Sequence, residues 1–197
     1  MTPPRLVLAT RNPAKLAEVR AILAGWDVAG LDLWPDLPLP PEDAAAYDEN
    51  ALGKARAVAR ATGRPALGDD SGLEVAALGG RPGVRSSRYA GDAADAAANN
   101  RKLLAELAAV PAPERRATFV CVAALAAPDG REWFARGVVD GVILAAPRGV
   151  GGFGYDPLFA PAGDNRTFAE MPAAEKNVIS HRARAFGAVA RFFGELG

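Results

Sequence analysis

The 197-residue sequence holds one cysteine and one histidine, and it has no excess of either charge. A lone cysteine, Cys121, excludes an intramolecular disulfide and suits a reducing compartment. No Cys/His spacing suits zinc. A single histidine, His181, allows at most one Ser-His-Asp or Cys-His arrangement. With 23 Lys+Arg against 23 Asp+Glu, the chain lacks the basic excess of a general nucleic-acid or membrane-surface binder. A small anion held by a local cation cluster stays open. No apolar run approaches the roughly 18 residues of a membrane span, and the apolar stretch in "MTPPRLVLAT" is too short for a signal peptide. A cytoplasmic protein is expected. There is no internal repeat, low-complexity tract or Walker A loop, since GxxxxGK[ST] occurs nowhere.

What the chain does contain is enough apolar residue, half of the total, to bury the core of a single domain spanning 1–197. "RLVLA" at 5–9 reads as a buried strand. Asn12 and Pro13 then predict a capped helix start, with Leu16, Val19 and Leu23 on one face and Gly25 as a stop. Residues 26–42, rich in proline and acids, read as an irregular connection. A second helix is predicted over "YDENALGKARAVARAT", with Leu52, Ala55, Val58 and Ala59 inward. The short strand "PAL" precedes "GDDSG" and a Gly-rich loop. Asp92 and Asp95 predict the start of a helix carrying Leu103, Leu104 and Leu107. "RATFVCVAALAA" and "REWFARGVV", joined through "PDG", predict an antiparallel hairpin that "GVIL" extends. A last helix is expected from about Ser180, with Phe186, Val189, Phe193 and Leu196 on its apolar side. Strand–helix units mixed with a hairpin imply an α/β or α+β fold around a mixed sheet.

Four stretches carry chemistry. In "LATRNPAK" a strand runs into a capped helix start, which presents N–H groups and a positive dipole end to an anion. Lys15 in that first turn is electrostatically misplaced unless an anion lies nearby, and Arg11 adds a second cation. The stretch reads equally as a surface helix with two solvated cations. In "GVGGFGYDP", Gly149, Gly151 and Gly154 satisfy GxGxxG, but Pro157 and Pro161 stand where the dinucleotide motif needs a helix. A Gly-rich backbone passing close to something flat is the better reading, with Phe153 able to stack on a base. An ordinary tight turn with a core phenylalanine is the alternative. "AEKNVISHRARAF" concentrates the donors Lys176, His181 and Arg182, suited to keto oxygens or phosphate. In "GDDSG", Asp69 and Asp70, joined by Glu42 from the acidic connection, offer hard oxygen ligands for Mg²⁺. One carboxylate can serve as base for an attacking water. Taken alone, Asp-Asp-Ser-Gly more often makes a turn with solvated acids. Cys121 falls mid-strand among apolar residues and reads as core. An anion site, a metal site, a stacking ring and a donor cluster together describe a nucleoside-triphosphate site.

In order and spacing, "LATRNPAKLAEVRAIL", "GDDSGLEVAALGGRPGVRSSRYAG", "GGFGYDPLF" and "AEMPAAEKNVISHRARAF" resemble the motifs of the inosine triphosphate pyrophosphatase (Ham1-like, RdgB-type) family over nearly the whole chain. The resemblance implies an elongated central mixed β-sheet flanked by helices, two lobes with the site in a cleft between them, and a homodimer. It implies Mg²⁺-dependent hydrolysis of ITP, dITP and XTP to the monophosphate and pyrophosphate, which clears deaminated purines before they enter DNA or RNA. By the same resemblance Thr10, Arg11, Asn12, Pro13, Ala14 and Lys15 form the phosphate-binding turn, and Lys54 lies near the phosphates. Asp70 is the proton acceptor and metal contact, with Glu42 and Asp69 as further metal ligands, and Ser71 touches substrate. Phe153, Gly154, Tyr155 and Asp156 hold the base, with Lys176, His181 and Arg182 around its edge. Arg11 departs from the glycine common at that position; it adds a phosphate contact or alters the loop. A Maf-type pyrophosphatase is the rival enzyme reading, but its "SxSPRR" start is missing. A nucleotide sensor without turnover is a third reading, against which the acid pair and cation set argue.

Overall fold

The computed structural model describes residues 5–195, with side chains described through 192. Phe193 and Leu196, expected on the apolar side of the last helix, lie outside the described side chains. Among the described residues five α-helices flank a seven-stranded sheet, ordered β2 (Val28–Ala29), β1 (Leu6–Leu8), β3 (Ala66–Val75), β5 (Arg116–Ala126), β6 (Glu132–Ile143), β7 (Phe159–Pro161), with β4 (Pro82–Gly83) paired to β3. The helices are α1 (Pro13–Ile22), α2 (Tyr47–Thr62), α3 (Ala96–Glu106), α4 (Ala173–Ile179) and α5 (His181–Glu195). β1 runs parallel to β2 and β3, whereas β3–β4 and β6–β7 are antiparallel, so the sheet is mixed.

Local chemistry accounts for most boundaries. Asn12 caps α1, its side chain accepting from the N–H groups of Ala14 and Lys15, with Pro13 opening the helix as predicted. α2 ends on Gly63 in the left-handed conformation, φ 64°. The cap of α3 is Asp95, which accepts from Ala98 N–H at 2.7 Å. Within α2 the buried face runs through Ala51, Ala55, Val58 and Ala59, and Leu52, expected inward, is only half-buried. Small side chains on that face suit a helix held close to the sheet. The two-residue strand β2 and a helical turn at Leu31–Leu33 interrupt the connection read as irregular.

The largest difference concerns "GDDSG". The sequence suggested a short strand followed by a turn, but β3 runs unbroken for ten residues through both acids. Alternation along a strand sends neighbouring side chains to opposite faces, so Asp69 and Asp70 need not meet. Gly68 marks the face shared with Asp70. A Cβ there would fall 2.1 Å from the Ala51 carbonyl oxygen and 3.1 Å from Ala55 N, so only glycine lets α2 lie this close. Leu67 belongs to the opposite face, in an apolar cluster with Leu8, Val19, Leu23, Phe186 and Val189 from β1, α1 and α5.

The chain forms two compact units. The first comprises Met1–Asp70, Cys121–Gly137 and His181–Gly197, and the second Ser71–Val120 and Val138–Ser180. The first unit's core is the cluster just described, in which Cys121 is fully buried. The second unit's core gathers Leu73, Leu103, Leu107 and Leu158 around three rings, Phe119, Phe159 and Phe168. Phe119 meets Phe159 edge-on at 4.6 Å between centroids and stacks on Phe168 at 5.9 Å. No helix among the described residues is long and apolar enough to cross a membrane.

Candidate active site

In the first unit the acids of β3 meet cations from three helices. Asp69 is fully buried, with its Oδ2 2.9 Å from Lys15 Nζ of α1 and 3.6 Å from Arg182 of α5. Burial pushes this carboxyl upward, but Lys15, Lys54 and Arg182 together outweigh it and hold it well below the ordinary carboxylate range. The sequence left Lys15 looking for an anion, and in this structure Asp69 is that anion. Arg182 is itself buried, and its Nη1 donates to Glu18 Oε2 at 2.6 Å. Glu18 stands three residues after Lys15 on α1, so one helix supplies both a cation for Asp69 and the anion that orients Arg182.

Asp70 faces a different environment. Its Oδ2 accepts a 2.8 Å hydrogen bond from Asn50 Nδ2 of α2. Burial is the largest influence on its carboxyl and raises it to about 6, against the opposing pull of Asn50 and Lys54. Two adjacent acids on one strand therefore have opposite proton affinities, set by which face each occupies. Lys54, four residues after Asn50 on α2, is buried and donates both to Glu42 and to the Asp69 carbonyl. Burial lowers its proton affinity, yet Asp69 and Glu42 more than compensate, and it stays charged. Asn50 also bonds Ala44 in both directions, N–H to Oδ1 at 3.1 Å and Nδ2 to carbonyl at 3.4 Å, so it ties the Glu42-bearing segment to Asp70.

The turn expected to bind phosphate is tighter than the sequence suggested. Thr10 Oγ1 accepts from Asn12 N–H at 3.1 Å, and Asn12 Oδ1 takes the N–H groups of Ala14 and Lys15 at 2.9 and 3.3 Å. The helix start is thus satisfied by its own cap. Arg11 reaches away from α1 to the carbonyls of Pro35 and Leu37.

The second unit carries Phe153, Gly154, Tyr155, Asp156 and Lys176, residues expected to surround a base. Asp156 is buried, and its Oδ2 accepts from Phe153 N–H at 2.8 Å and from Lys176 Nζ at 2.6 Å. Lys176, buried in α4, lies 5.1 Å from the Phe153 ring centroid and 5.7 Å from that of Phe168. Gly152 permits this knot: at φ 67° its Cβ would lie 2.0 Å from Asp156 Oδ2. What the Gly-rich backbone passes closely is thus the protein itself, with Gly151 N–H donating to the Ala169 carbonyl at 3.0 Å. Tyr155 is core, its hydroxyl donating to the Ser86 carbonyl at 2.8 Å, and the Gly154 carbonyl accepts from Asn100 at 3.0 Å. Ser71 is half-buried on β3. His181 is buried at the head of α5 in the first unit, beside Arg182.

The structure therefore brings Lys15, Asp69 and Arg182 together, Lys54, Glu42 and Asp70 together, and Phe153, Asp156 and Lys176 together. Sequence reasoning missed Asn50 and Glu18. A buried-face asparagine one turn before a buried lysine was the available signal for the first. For the second it was an acid three residues after a cation on a capped helix. Among the described residues no three acidic, histidine or cysteine groups converge as a ready-made metal cage. Glu42 and Asp70 both act on Lys54, and they offer the two hard carboxylates that Mg²⁺ uses beside water and phosphate oxygens.

Fold and site define a mixed α/β protein with paired acid–cation clusters on one strand and an aromatic–cation knot after a Gly-rich loop. The Ham1 family profile matches residues 6–192, and the chain belongs to that family. It is 50% identical over 195 residues to a dITP/XTP pyrophosphatase of Geobacter sulfurreducens, covering 98% of each chain. It is 52% identical over 188 residues to one of Symbiobacterium thermophilum, covering 94% of this chain and 92% of that one. Among solved structures, a HAM1 protein from Coxiella burnetii matches with a TM-score of 0.86 and 41% identity over 99% of this chain and 100% of that one. The Staphylococcus aureus Ham1 protein matches at 0.85 and 36%, over 98% and 100%.

Proposed function

We propose that this chain is a Mg²⁺-dependent pyrophosphohydrolase that converts dITP, XTP and ITP to the monophosphate and pyrophosphate. In the cell this activity removes deaminated purine nucleotides before polymerases place them in DNA or RNA. The observation that carries the reading is the split acid pair: Asp70 with a carboxyl near 6 beside Lys54 and Glu42, and Asp69 locked to Lys15 and Arg182. Full-length similarity to dITP/XTP pyrophosphatases supports it.

In this reading Asp70 and Glu42 hold the metal, with Asp69 supporting them through the cations it fixes. When bound, Mg²⁺ neutralises phosphate oxygens and polarises the α-phosphorus. Asp70 takes the proton of the attacking water. Lys15 and Lys54 offset charge on the departing pyrophosphate, and Thr10, Asn12, Pro13, Ala14 and Lys15 of the turn hold the phosphates. Phe153 stacks on the base, with Ser71 as a further substrate contact. Lys176, paired with Asp156, donates to the 6-oxo group of hypoxanthine or xanthine. Adenine presents an amino donor there, setting donor against donor and leaving one N–H of the Lys176 ammonium without an acceptor from the base, which is a strong basis for rejection. The resemblance adds His181 and Arg182 as base-edge donors. Glu18 and Asp69 hold Arg182, as Asp156 holds Lys176. A homodimer working in the cytoplasm completes the proposal.

Pyrophosphate release from dITP, XTP, ITP, ATP and GTP, each with and without Mg²⁺, tests it. Hydrolysis of the first three in preference to ATP and GTP, only with metal, is expected. Equal rates on ATP would sink the specificity assignment, and metal-independent turnover would sink the assignment of Glu42 and Asp70.

A further inference from the structure

We propose that Arg11 is a positioning residue that fastens the Glu42-bearing connection to the phosphate turn, and that it is not a phosphate ligand. This rests on the reading of Glu42 as a metal ligand. Its Nη2 donates to two backbone carbonyls, Pro35 and Leu37, each at 2.8 Å. Both lie more than twenty residues downstream, on the far side of β2, so the contact is tertiary.

The connection needs such an anchor. Four of the seven residues from 35 to 41 are proline, which removes their N–H donors and bars the segment from joining a helix or ladder. Its place is set by attachments from outside. At one end Leu37 is buried and Arg11 grips the carbonyls on either side of Asp36. At the other end Lys54 takes Glu42, and Asn50 takes Ala44. Glu42 sits five residues beyond the first anchor and opens the second, two residues before Ala44. Proline-rich chain is stiff, so displacement at Leu37 carries to Glu42 instead of being absorbed between. A guanidinium suits the anchor because its donors splay widely enough to serve two carbonyls while its charge strengthens both bonds. Glycine at position 11, common in the family the sequence resembles, supplies no such anchor.

The test compares Arg11→Gly, Glu42→Gln and the double variant. The Mg²⁺ concentration for half-maximal dITP hydrolysis is read beside the KM for dITP. Hydrogen exchange across 34–44 is measured in metal-free, nucleotide-free protein, with thermal melts to establish folding. Arg11→Gly is expected to raise the half-saturating Mg²⁺ by about tenfold, the usual effect of removing a group that orients a metal ligand. KM for dITP stays within about twofold, and exchange across 34–44 accelerates. The double variant needs no more Mg²⁺ than Glu42→Gln alone, since both changes act on one group. If Arg11→Gly instead raises KM while Mg²⁺ dependence and exchange stay unchanged, Arg11 is a phosphate ligand and the inference is overturned. If Glu42→Gln leaves the Mg²⁺ requirement unchanged, the metal-ligand reading fails and takes this one with it. A raised requirement in Glu42→Gln without one in Arg11→Gly overturns this inference alone.

Discussion

At the residue scale, Asp69 and Asp70 tie folding to pH in opposite directions. Asp70 is raised from 3.8 to about 6, so the folded protein keeps a proton that the unfolded chain releases between those values. Its contribution to stability therefore falls as pH rises from about 4 to 6, and the full cost is present at neutrality. Asp69 is depressed, so its contribution is present above the ordinary carboxylate value and is lost as pH falls below it. Asp70→Asn removes the first cost while keeping an oxygen for Asn50. In metal-free protein at pH 7.5 it should raise stability by about 1–2 kcal/mol, a few degrees in Tm. The same variant should lose at least about a hundredfold in turnover. Calorimetry and a dITP assay on one preparation check both. Asp69→Asn should do the reverse to stability, costing about 3–5 kcal/mol by leaving Lys15 and Arg182 without their shared anion. A denaturant melt at pH 7 shows which sign holds. Lys176→Met should strand the Asp156 carboxylate and narrow the preference for dITP over dATP by at least about tenfold, read as the ratio of kcat/KM values.

At the scale of elements, the position of α2 depends on Gly68. Gly68→Ala drives a methyl into the Ala51 carbonyl, and the helix that must move carries both Asn50 and Lys54. A cost of about 1–3 kcal/mol is expected, with turnover lost beyond what the fall in folded fraction explains; melts paired with active-site titration separate the two. The same elements show what sequence alone reveals. The cap and proline of α1 were legible because they act within four residues. The hairpin strands were legible because β5 is continuously apolar, β6 alternates between buried and exposed positions, and a turn divides them. β3 was misread at its centre. Adjacent aspartates look like a turn until Lys15, 54 residues upstream, and Arg182, 113 residues downstream, neutralise one of them, Asp69. β7, three residues long, has no periodicity to read and exists through its pairing with β6. Glu18 and Asn50 were hidden for the same reason: their partners are assembled by the fold.

For the whole molecule, the Glu18–Arg182 pair joins residues 164 apart and closes the first unit through its last helix. A chain stopped at Ser180 loses Phe186 and Val189 from the core and leaves Glu18 and Asp69 without Arg182. It should fail to fold cooperatively, as a broad or absent thermal transition by circular dichroism. The long strands β3, β5 and β6 each contribute residues to both units. The acid pair ends the first unit's share of β3, and Ser71 opens the second's. Because the two acids differ only in which face of β3 they occupy, their roles are held by strand register. A slip of one residue sends Asp69 toward α2 and Asp70 toward α1 and α5, exchanging the depressed carboxyl for the raised one. Register here is set by the pairing of β3 with β1, Val7 opposite Ala66 and Leu8 opposite Leu67, and the chain reaches that pairing through the three-residue link Gly63–Arg64–Pro65 after α2. That link touches no chemistry, yet inserting or deleting one residue there should silence the protein as completely as replacing Asp70.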